Sequence, residues 1–96
     1  MEITRQNPSA RLVVPDKVTV RQQMAYFSAA YAVEGPVFER YWAGAAQLIT
    51  EWECEIFPDK SVSIDSVTNP QVTAVLIWAG LQVKNHIDSL DEVPPN

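Results

Sequence analysis

The stretch "LITEWECEIFPDK" sets Glu51, Glu53 and Glu55 around Trp52 and Cys54, a density of carboxylates and sulfur that a metal centre or a nucleophilic site would use. A metal site needs a further kind of ligand in reach. The single histidine, His86, stands beside Lys84 and Asn85 in another segment, with no ligand spacing around it. Catalysis by Cys54 with His86 as base would rest on packing alone, and a lone cysteine near apolar residues is ordinarily a small buried hydrophobe. Gly35, Gly44 and Gly80 are isolated, so no phosphate-cradling loop is formed. These residues do not compose the machinery of an enzyme, and they imply no metal and no cofactor. What is left for the glutamates is a solvated face or a negative docking surface.

The elements that must position them follow from periodicity. Val20, Met24, Phe27 and Tyr31 recur at steps of four, three and four, which puts them on one face of a helix over 20–32. Thr19 with Gln22 three residues on forms a capping-box pattern at its start. Gly35 and Pro36 break that helix and open the next. In the second helix Phe38, Trp42, Ala45, Ile49 and Trp52 form a stripe widened by Tyr41 and Leu48, and the helix is expected to run to Ile56. On it Glu51 and Glu55 share a face at i, i+4. The Ser- and Asp-rich loop after Pro58 has room for a short strand, "SVSI". Asn69 and Pro70 then supply an N-cap and a first-turn proline for a third helix whose face is Val72, Leu76, Ala79, Val83, Ile87 and Leu90, with Val75 and Trp78 beside it. Gly80 inside that helix marks a close crossing with a neighbour.

Before these helices, "ARLVV" lies between Pro8 and Pro15 and reads as an extended arm or a short edge strand. The expected fold is therefore mostly α: a small bundle of three amphipathic helices with an extended N-terminal arm. Residues 1–18 form the arm, 19–92 the helical domain and 93–96 a polar, proline-rich tail.

At 96 residues and 47% hydrophobic, the chain is one domain able to bury about two thirds of its unfolded surface. A single cysteine excludes an internal disulfide, and the first residues carry no basic stretch followed by an apolar run, so a cytosolic location is expected. The longest apolar piece, "VTAVLIWAGLQV", is too short for a bilayer, so no membrane is expected as partner. The net charge of -5 is uneven. Up to Val33 the bases Arg5, Arg11, Lys17 and Arg21 exceed the acids Glu2 and Asp16, while from Glu34 onward ten acids stand against three bases. An acidic balance argues against nucleic acid, whose phosphates call for clustered Lys and Arg, and favours a basic protein partner or plain solubility.

The runs "VPDKVTVRQQMAYFSA", "FERYWAGAAQLITEWECEIFPD" and "NPQVTAVLIWAGLQVKNHIDSL", with the closing "VPPN", resemble a group of small proteins from the tail-gene clusters of long-tailed bacteriophages, the tail assembly chaperones. The resemblance runs from Val14 to the end, on pattern words such as "VTVRQ", "YW" and "IWAG"; Pro94 and Pro95 depart from the group's "VPKN"-like endings. It implies a non-enzymatic helper in the cytoplasm of the infected bacterial host. Such a helper binds the tape-measure protein, keeps it soluble during tail morphogenesis and helps recruit tail-tube protein; it could also form a homo-oligomer. The expected contact surface is the acidic flank of the second helix, Glu39, Glu51 and Glu55, with the aromatics Tyr31, Tyr41 and Trp78. Two other classes compete: a minor structural component of the virion, tail or connector, and an acidic inhibitor of a host defence protein.

Overall fold

Caps and turns set the helix bounds. The computed structural model, which describes residues 1–90, places helix α1 at Val20–Ala32, α2 at Val37–Leu48 and α3 at Pro70–Ser89. The Thr19 hydroxyl accepts the Gln22 amide while the Gln22 side chain accepts the Thr19 amide, closing the box. Asn69 caps α3 through the Gln71 amide, with Pro70 in its first turn.

The three-helix bundle with an N-terminal arm is overturned: the fold is α+β, with a three-stranded antiparallel sheet beside the helices. The segment expected as an arm is a hairpin, β1 at Glu2–Arg5 and β2 at Ala10–Val13, turned through residues 6–9, where Asn7 takes a φ of 54°. Asparagine tolerates that left-handed conformation better than most residues. Leu12 and Val14 are fully buried, so the segment belongs to the core. Its exit is pinned twice: the Met1 ammonium donates to the Val14 carbonyl while the Met1 carbonyl accepts the Val14 amide, and His86 of α3 bonds the Pro15 carbonyl at 2.8 Å.

The second correction concerns α2, which stops at Leu48 rather than Ile56. Thr50 donates both its amide and its hydroxyl to the Val13 carbonyl, and Glu51–Cys54 becomes strand β3 on the far side of β2. In register, Leu12 faces Trp52 and Arg11 faces Glu53. Alternation then decides each side chain's direction: Ile3, Arg5, Ala10, Leu12, Trp52 and Cys54 point to the core side, and Glu2, Arg11, Glu51 and Glu53 point outward. The loop expected to hold a strand at "SVSI" holds instead a 3₁₀ turn, Ile64–Ser66.

One core joins both layers. Trp42 of α2 packs on Trp52 of β3 with ring centroids 5.3 Å apart, and the Trp52 indole donates to the Phe57 carbonyl at 2.7 Å. Two glycines allow close helix crossings. A Cβ on Gly44 would sit 2.7 Å from the Tyr26 ring, and one on Gly80 would meet the Tyr41 Cβ at 2.9 Å and the Trp42 backbone nitrogen at 3.0 Å. Because α1 docks by pressing Tyr26 into the Gly44 notch and burying Ala30, its apolar stripe of Val20, Met24, Phe27 and Tyr31 faces away from the core. The proline-rich tail expected at 93–96, with Asp91 and Glu92, lies outside the described residues.

Candidate functional site

The residues chosen from the sequence do not form one site. Glu51 lies on the outer face of the sheet, where the Arg11 guanidinium meets Glu2 at 2.8 Å, Glu51 at 3.5 Å and Glu53 at 3.6 Å. The hydrogen bond to Glu2 and the surrounding carboxylates raise the Arg11 pKa further. Glu55 follows the strand and accepts the Ser9 amide, so it and Glu51 do not share a helix face. Glu51 and Glu53 of the acidic half are thus met by a base of the other half, and Glu55 by a backbone amide. Trp78 is half-buried under the Arg5 guanidinium, 5.8 Å from its ring, and Tyr41 is half-buried with the Lys84 ammonium 5.6 Å from its ring. Tyr31 stands exposed on the outer stripe of α1.

Tyr31 and Tyr41 line a cleft between α1, α2 and the end of α3, and Glu39 borders a separate groove. Glu39 lies in the first turn of α2, where the helix dipole favours a carboxylate, and its side chain folds over Gly35. The groove, about 460 Å³, runs between the start of α2, the 3₁₀ turn and the first half of α3. Phe38, Trp42, Ile64, Val67, Val72 and Leu76 give it apolar walls, and Glu39 and Asp65 stand at its rim. Phe38 remains 43% exposed at the mouth. No single segment carries this site: its walls come from three segments, so helical spacing marked Phe38 and Trp42 as a stripe without showing what they enclose.

Chemically reactive groups do not gather. Cys54 is buried in β3, His86 is engaged by the Pro15 carbonyl, and no three His, Cys, Asp or Glu side chains among the described residues are placed to hold a metal ion. No helix among them is long and apolar enough to cross a membrane. Set against protein-family models, curated proteins and solved structures, the chain finds no match in any of the three.

Proposed function

We propose that the protein is a non-enzymatic binding module that receives the apolar face of a partner helix in the α2–α3 groove, with basic residues of that helix set against Glu39 and Asp65. The observation that carries this reading is the pairing of an apolar trough with two rim carboxylates. That combination selects an amphipathic, basic-flanked helix over a small polar ligand. The resemblance in its sequence supports the tape-measure protein of a long-tailed phage as that partner, and the role of a tail assembly chaperone in the infected cell.

The test is affinity capture of the tagged chain from infected cells, alongside Phe38→Asp and Glu39→Lys variants. The tape-measure protein should come down with the native chain, be lost with Phe38→Asp and be weakened with Glu39→Lys, and the chain should be absent from mature particles. Capture that ignores both substitutions removes the groove from the argument. A stoichiometric band in the particles, or recovery of a host defence protein instead, replaces the chaperone with a structural component or an inhibitor.

A further inference from the structure

The α1 stripe is only partly covered within the chain: Phe27 and Tyr31 border the cleft to Val37 and Tyr41 of α2, and the rest of the row is open. Val20, Met24, Phe27 and Tyr31 are 72%, 65%, 40% and 77% exposed. Their steps of four, three and four are the spacing by which two helices interlock knobs into holes. Single exposed apolar side chains are ordinary, whereas a continuous row of them marks an interaction surface. We propose that this face is occupied by a second copy of the chain, its α1 lying antiparallel to the first about a two-fold axis between Ala25 and Tyr26.

In that register each Met24 meets Phe27 of the other copy, and each Val20 meets Tyr31. Every layer thus sets an aromatic ring against a slimmer aliphatic side chain, and the thioether of Met24 lies on a ring, a favourable contact. Arg21 and Ser28, both exposed, flank the stripe on its open side. Charge chooses the direction. The same register brings Lys17, ahead of the Thr19 cap, beside Glu34, just past the helix end, and does so twice. Both are exposed, and neither makes an ion pair among the described residues. A parallel pair would set Lys17 against Lys17 and Glu34 against Glu34.

The area fits a reversible pair. A fully covered aromatic side chain contributes about 150–250 Å², so the stripe offers about 500 Å² per copy and the pair about 1,000 Å², the lower bound of a specific interface. An interface of that size belongs to weak, reversible association rather than to an obligate dimer.

Sedimentation equilibrium of the full chain across the micromolar to millimolar range tests this. The native chain should show a monomer–dimer equilibrium. Met24→Glu, which places a carboxylate in the seam, should weaken it at least about 100-fold, while circular dichroism shows the fold retained. Lys17→Glu should weaken it about fivefold, and adding Glu34→Lys should restore it, because the antiparallel pair is then rebuilt with its charges exchanged. A native chain that stays monomeric at millimolar concentration, or a Met24→Glu chain that pairs as well as the native one, overturns the proposal; failure of the double exchange to restore pairing overturns the antiparallel register. Because the groove lies on α2 and α3, the Met24 and Lys17 variants should still capture the partner named above, so either reading can fail while the other stands.

Discussion

Tyr26 shows how much one side chain decides. Its ring fills the notch over Gly44 and so fixes which side of α1 is buried. Burial pushes its phenol up to about 12, with the Asp88 carboxylate adding to the shift. The unfolded chain ionises this group near its ordinary value of 10.0. The folded pKa is therefore raised, the stability it confers is fully present below pH 10, and it is lost as the pH rises from about 10 towards about 12. Ultraviolet titration should show a phenolate step near pH 12 that Tyr26→Phe abolishes, and Tyr26→Phe should flatten the fall in stability across that interval. If the native chain has no such late step, Tyr26 is not held in the notch. Arg11 is decisive in a different way. It stands among Glu2, Glu51 and Glu53, which turns a glutamate cluster with the look of a site into one face of a sheet.

At the scale of elements, what was legible in the sequence was whatever local chemistry controls. The capping box fixed the start of α1 and Asn69–Pro70 the start of α3, because a cap is a contact within a few residues. Strand β3 was hidden because Trp52 also fits a step of three from Ile49, so the helical stripe continued on paper; the alternation in "EWECEI", exposed and covered by turns, was the competing signal. The hairpin was hidden for a related reason. "NPS" between "EIT" and "RLVV" has turn chemistry, but prolines at both ends of the run read as an arm. The groove was not legible at all, since its walls meet only in the folded chain. Gly80 was legible as a crossing, and it carries a prediction. Gly80→Ala gains about 1 kcal/mol of helix propensity, but its methyl must displace backbone of α2 at 3.0–3.1 Å. Overpacking of that kind costs about 1–3 kcal/mol, and here it meets backbone rather than a flexible side-chain end, so the upper part of that range applies. The net effect should be a loss of about 1–2 kcal/mol, read as a lower thermal midpoint. An unchanged or raised midpoint would show that α2 and α3 cross with room to spare.

For the whole molecule, the important consequence of the sheet is that the first fourteen residues are not an appendage. An arm laid on the surface could lose a side chain at a cost within about 0.5 kcal/mol. Leu12, by contrast, is fully buried between Ile3 and Trp52 on neighbouring strands and shares the core with Trp42 and the α3 face. Truncation at such a position costs about 2–5 kcal/mol, a large part of the about 5–15 kcal/mol available to a domain. Leu12→Ala should therefore lower the urea midpoint strongly with little change in slope, while Val62→Ala, in the exposed loop, should barely move it. Because Trp42 and Trp52 couple the sheet to the helices, tryptophan fluorescence and helical circular dichroism should lose their signal in one shared transition. Two separated transitions, or a Leu12→Ala chain as stable as the native one, would mean that hairpin and helices fold independently. Groove and stripe, both carried by the helices, would then share one body, and the sheet would be a second body that supports neither.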